Sequence, residues 1–61
     1  MEWVELTLAP YRKILINVRT ITDFYSETNE GQEKTKIRVI GGGFSIVTET
    51  YQEVKSLVDK G

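Results

Sequence analysis

The side chains best suited to covalent chemistry in this sequence are three serines, Ser26, Ser45 and Ser56, with the threonines beside them. A hydroxyl nucleophile needs a neighbouring base to take its proton, usually an oriented histidine or a lysine. The sequence has no histidine, and no lysine stands at a recognisable spacing from a serine. Paired carboxylates offer a second route, because two acids in unlike environments divide acid and base roles. Glu27 and Glu30, and Glu30 and Glu33, have the spacing. They sit in the polar stretch ETNEGQEK, however, where nothing would desolvate one and spare the other. Gly41-Gly42-Gly43 suggests a phosphate cradle, which requires glycines that open onto a helix N-terminus. These glycines lead into Phe44-Ser45-Ile46, a strand pattern, and read as a tight hairpin turn. The absence of cysteine removes disulfides and thiolate metal sites. The sequence therefore reads as a non-enzyme, with no catalytic, cofactor-binding or metal-binding residue assigned.

Non-covalent chemistry has more material. Arg12-Lys13 and the period-two series Lys34, Lys36, Arg38 are the local basic groups. Period two places the series on one face of a strand. Arg12, Lys13, Lys36 and Arg38 are the candidate anion-binding residues; the competing reading is a solvated strand face. Eight Lys and Arg against nine Asp and Glu give a net charge of -1, so no global basic surplus supports nucleic-acid binding. The six aromatics, Trp3, Tyr11, Phe24, Tyr25, Phe44 and Tyr51, are spread over five elements and read as core or interface packing rather than a base-stacking platform.

The elements that position these groups follow from hydrophobic period and turn chemistry. Trp3 to Leu8 alternates, as a half-buried strand does. Ala9-Pro10-Tyr11-Arg12 breaks it, and Lys13 to Asn17 returns as the second arm of a hairpin. Asn17 to Thr20 is a short turn or corner, and Ile21 to Ser26 a third strand. Glu27 to Lys34 is predicted to be a polar, mobile loop. Thr35 to Ile40 and then Gly43 or Phe44 to Thr48 are the fourth and fifth strands, joined at the glycines. Thr50 to Lys60 is the one helix, opened by a Thr50/Glu53 capping box and carrying Tyr51, Val54, Leu57 and Val58 as its apolar stripe. The expected fold is α+β: a twisted antiparallel β-meander of four to five strands with one C-terminal α-helix packed on one face. The predicted core is Val4, Leu6, Ile37, Val39, Val47, Val54, Leu57 and Val58, with Ile21 and Phe24 beside it.

Several strands are apolar on both faces. Leu15 must oppose Ile14 and Ile16, Val39 and Ile40 are adjacent, and so are Ile46 and Val47. An eleven-residue helix is about 16 Å long and covers one face, not two. Trp3, Leu15, Ile40, Phe44 and Ile46 are left over and are predicted to form a contiguous self-interface. The alternative is that bulges and the N-terminal corner fold them back into one core. Size favours association, since 61 residues without disulfide or metal build only a marginal core.

The same length limits the chain to one small domain, residues 1–61. Its longest apolar run, Ile14-Leu15-Ile16, falls far short of a membrane span of about 20 residues. The acidic start Met1-Glu2-Trp3-Val4-Glu5 lacks the basic and apolar regions of a signal peptide. A cytoplasmic location without membrane insertion is the expectation.

The motifs Glu5-Leu6-Thr7-Leu8, Ile14-Leu15-Ile16-Asn17, Ile21-x-x-Phe24, Thr35-Lys36-Ile37 and Val47-Thr48-Glu49-Thr50-Tyr51-Gln52-Glu53-Val54 occur in that order. This series resembles the small FlbD-like proteins, a family associated with bacterial flagellar and swarming motility that also has short relatives of unknown function. Gly41-Gly42 stands where that family has Asn-Gly, and the Glu27–Lys34 segment is longer than the family's turn. The resemblance implies an interaction protein and carries over no catalytic residue. The β-β-β-α rhythm also resembles, more weakly, part of a LytTR-type DNA-binding domain, although three acids in Glu27–Glu33 would repel phosphate. The expected function is a small homo-oligomeric interaction or adaptor module of FlbD-like type, partnered by itself and by another protein. The alternative is a small regulator that binds DNA or an anionic nucleotide through the local basic face, with two copies of Lys36 or Arg38 converging on the anion.

Overall fold

A computed structural model describes residues 2–60. Five strands and one helix follow in order: β1 (Trp3–Leu8), β2 (Arg12–Asn17), a single 3-10 turn (Val18–Thr20), β3 (Ile21–Asn29), β4 (Gln32–Val39), β5 (Phe44–Val47) and α1 (Tyr51–Lys60). All pairings are antiparallel, in one open sheet of order β2-β1-β5-β4-β3. The α+β class, the five strands and the helix packed on one face agree with the sequence reading. The β1–β2 hairpin and the β3-β4-β5 meander meet where β1 lies beside β5.

That junction is narrow. Leu8 pairs with Val47, Ala9 N–H donates to Ile46 O at 3.0 Å, and Thr48 N–H donates to Thr7 O at 2.9 Å. Beyond Thr48 the chain leaves the sheet, and the next β1 donor is met by a side chain instead. Thr7 N–H donates to both carboxylate oxygens of Glu49, at 2.9 and 3.1 Å. Thr35, fully buried, donates its hydroxyl to Glu49 O at 2.8 Å. Glu49 thus ties the helix entrance to strands from both halves of the sheet.

β2 and β3 form opposite edges of the sheet, yet three residues join them. Four strand spacings on a flat sheet would span about 19 Å. A short 3-10 turn rises only about 2 Å per residue, so the sheet must coil until its two edges approach at this end. The corner is held locally: Asn17 Oδ1 accepts from Arg19 N–H at 3.0 Å, and Thr20 Oγ1 donates to Asn17 O at 2.7 Å.

The core fills the inner face of the coiled sheet. Val4, Leu6, Ile16, Ile37, Val47 and Val54 are buried, and Ile14, Val18, Ile21, Phe24, Val39 and Val58 pack around them. The alternation of β1 and β4 accounts for four of these, because side chains two apart share a face. Leu57, predicted as core, is exposed. The coiling leaves only part of the helix stripe over the sheet, where Val54 and Val58 already fill the space. α1 touches β1, β3 and β4, and Tyr51 packs its ring on Phe24 with centroids 5.4 Å apart. The capping box forms as predicted, with Thr50 N–H donating to Glu53 Oε1 at 2.9 Å and Glu53 N–H donating to Thr50 Oγ1 at 3.2 Å.

Glu27 to Lys34, predicted as a mobile loop, is instead the distal end of the β3–β4 hairpin. Ser26 pairs with Thr35, Glu27 with Lys34, Thr28 with Glu33 and Asn29 with Gln32. Only Glu30 and Gly31 turn, both at positive φ (54° and 78°), the sign pattern of a type I′ turn. The segment shows no apolar alternation because it projects past the core, where polar cross-strand pairs and backbone hydrogen bonds hold it.

Candidate functional site

Register assigns every strand side chain to the inner or the outer face. Inner positions include Val4, Leu6, Ile14, Ile16, Ile37 and Val47; outer positions include Trp3, Glu5, Lys13, Leu15, Lys36, Arg38, Phe44 and Ile46. The helix covers the inner face. Trp3, Leu15, Ile40 and Phe44 are 52%, 64%, 67% and 57% exposed, while Ile46 is half-buried. The predicted self-interface residues therefore share the uncovered side of the sheet.

They do not form one contiguous patch. Leu15 stands opposite Glu5 on β1, next to Trp3, whereas Ile46 lies across from Ala9. Four residues of strand separate these rows, about 13 Å. Thr7, Thr48 and Lys13 occupy the gap, and Lys13 Nζ donates to Thr7 Oγ1 at 3.2 Å. The apolar outer face thus has two ends: Trp3 with Leu15 on the β1–β2 hairpin, and Phe44, Ile46 and Ile40 on the β4–β5 side. The sequence could not show this separation, which depends on how β1 is aligned against β5.

The second end surrounds a concavity of about 460 Å³ lined by Thr22, Lys36, Arg38, Val39, Ile40, Gly41 to Gly43 and Phe44. Gly41 and Gly42 take φ of +90° and +93°, with open space where a Cβ would lie. The glycines turn the chain from β4 into β5 as a hairpin, as predicted. Lys36 Nζ lies over the Phe44 ring, 4.2 Å from its centroid, a cation–π contact.

The four candidate anion-binding residues do not converge. Arg12 and Lys13 lie on edge strand β2, with β1 and β5 between them and β4. Arg38 is already paired: Nε donates to Asp23 Oδ1 at 2.8 Å and an Nη atom donates to Asp23 Oδ2 at 2.9 Å. That hydrogen bond, reinforced by the Asp23 charge, raises the Arg38 pKa above its ordinary value. Lys34 stands opposite Glu27, while Lys36 stands opposite Tyr25. The period-two basic stripe is real as a face, but β3 lays an acid beside two of its three cations. Asp23 and Tyr25 were not among the predicted site residues, because the bulge between Ile21 and Asp23 sets their register.

Among the described residues, no group of three His, Cys, Asp or Glu is placed to hold a metal ion. No helix among them is long and apolar enough to cross a membrane. Comparison of the chain with protein-family models, curated proteins and solved structures finds no match.

Proposed function

We propose that the protein is a non-enzymatic, homo-oligomeric interaction module of FlbD-like type that acts in the cytoplasm and docks a further protein. One observation carries the reading: the sheet face opposite the helix is uncovered and bears Trp3, Leu15, Ile40 and Phe44, each more than half exposed. Clustered exposed apolar side chains mark association surfaces, and this face carries two clusters, Trp3 with Leu15 and Ile40 with Phe44. The ordered motifs from Glu5 to Val54 support the FlbD-like type. Light scattering at high micromolar concentration tests it. The expected mass is a multiple of 7.0 kDa, and a mass of one chain refutes self-association. Trp3→Glu should lower the sedimentation coefficient by dissociating the oligomer.

The concavity supports a second reading, a regulator that binds DNA or an anionic nucleotide. Lys36, held on Phe44, would meet the phosphate, with an aromatic ring beside it. DNA binding of this kind weakens as salt rises. A labelled duplex that fails to shift at low salt disposes of the nucleic-acid form, and a thermal-shift screen with nucleoside phosphates decides the nucleotide form.

A further inference from the structure

We infer that two copies of the chain join through antiparallel pairing of their β2 edges, centred on Leu15, into one continuous ten-stranded sheet. The inference rests on the homo-oligomeric reading above and specifies its geometry.

Backbone hydrogen bonding shows which groups β2 offers. Val18 N–H donates to Glu2 O at 2.6 Å. In an antiparallel ladder, alternate residues bond to the same neighbour. Arg12, Ile14 and Ile16 therefore bond to β1, and Lys13 and Leu15 turn their N–H and C=O outward, as Asn17 does its N–H; Asn17 C=O accepts from Thr20 Oγ1. Among the described residues no backbone group pairs with that edge. Leu15 is 64% exposed in its middle.

The other edge is protected. β3 carries a bulge between Ile21 and Asp23, and Asp23 and Glu27 add carboxylates to it. Bulges and charges are standard devices against edge pairing. β2 has no bulge; its two charges, Arg12 and Lys13, lie together at its start, and its centre is the uncharged run Ile14-Leu15-Ile16.

Symmetry and side-chain polarity then select one register. Pairing about a two-fold axis normal to the sheet keeps both inner faces on the same side, so registers change in steps of two residues. With Leu15 opposite Leu15, Ile14 meets Ile16 of the second copy and Lys13 meets Asn17. The Leu15–Leu15 pair exchanges two N–H···O bonds, and at each Lys13–Asn17 pair the Asn17 N–H donates to Lys13 O, the Asn17 C=O already accepting from Thr20 Oγ1. One step one way sets Lys13 against Leu15 and Arg12 against Ile16. One step the other way sets Leu15 against Asn17 and carries Lys13 past the end of β2 to the 3-10 corner. Of these three registers, only the Leu15-centred one sets apolar against apolar and polar against polar at every paired position within β2. It also joins the two Trp3–Leu15 clusters on the outer face, and extends each inner core through Ile14 and Ile16.

A cysteine-free chain makes a direct test available. Leu15→Cys places two thiols at a hydrogen-bonded pair whose Cα atoms are about 5.5 Å apart, inside the range a disulfide spans. Mild oxidation should convert most of the Leu15→Cys protein to a covalent dimer on a non-reducing gel. Ser26→Cys, on the opposite edge, should stay as single chains. Leu15→Arg, at an exposed site, should keep the wild-type circular dichroism and scatter as one chain. If the wild type is oligomeric but Leu15→Cys does not cross-link, or Leu15→Arg keeps the oligomeric mass, edge pairing is overturned while self-association stands. A wild-type mass of one chain overturns both.

Discussion

Leu6 and Leu57 are both leucines at predicted core positions, and the structure separates them. Leu6 is fully buried between β2 and β5, whereas Leu57 is 36% exposed at the margin of the helix. Truncation of a packed leucine removes transfer energy and leaves a cavity. Leu6→Ala should cost about 2–5 kcal/mol, a large share of the stability of so small a domain. Leu57→Ala should cost less than about 1 kcal/mol, since the lost area is partly wet already. Urea midpoints of the two variants check the ordering, and equal shifts would contradict the packing described. Ile16 shows the opposite error. It is buried, yet its run Ile14-Leu15-Ile16 is apolar on both faces. Parity showed that Leu15 opposes its neighbours without showing which side the core would take. Thr35 was also hidden, because a buried hydroxyl becomes intelligible only once its acceptor, Glu49 O, is in place.

At the scale of elements, short-range signals were legible and long-range ones were not. The strand alternation of Trp3–Leu8, the glycine turn and the Thr50/Glu53 box each depend on neighbours within a few residues, and each formed. The β3–β4 extension was missed because its pairs, such as Glu27 with Lys34, are polar on both faces and carry no periodicity. Its turn has a testable weakness. Glu30 holds φ of 54°, which asparagine tolerates better than glutamate. Glu30→Asn should therefore stabilise the domain, by up to about 1 kcal/mol on the scale of left-handed strain, and a lower melting temperature would count against the turn. The β1–β5 junction was invisible for another reason. Its closure depends on Glu49, 42 residues away from Thr7. Glu49→Ala leaves the half-buried Thr7 N–H without its acceptor and should cost about 1.5–3 kcal/mol, the range for a hydrogen bond to a charged group. Glu53→Ala, which removes half of an exposed cap, should cost about 1 kcal/mol or less. Urea denaturation of both variants distinguishes the tie between sheet halves from the cap alone.

For the whole molecule, coiling of the sheet and the single helix satisfy one face only. The radius of gyration of 10.7 Å describes a small body in which, among the described residues, the outer side chains have no second layer to meet. Self-association then has a thermodynamic consequence beyond mass. Where the folded dimer is in equilibrium with unfolded single chains, a tenfold rise in concentration favours the dimer by about 1.4 kcal/mol. Unfolding entropy near 60 °C is about 2.1 cal/mol/K per residue, so the two chains of a dimer together resist that shift by about 0.26 kcal/mol/K. The melting temperature should accordingly rise by about 5 °C for each tenfold increase in protein concentration. Differential scanning calorimetry across two decades of concentration measures this directly. Leu15→Arg should flatten the dependence, because the exposed edge then carries two opposed cations and no apolar pair. Phe44→Glu, at the other end of the outer face, should leave the slope intact if β2 alone joins the copies. A slope removed by Phe44→Glu and kept by Leu15→Arg would move the contact from the strand edge to the β4–β5 face.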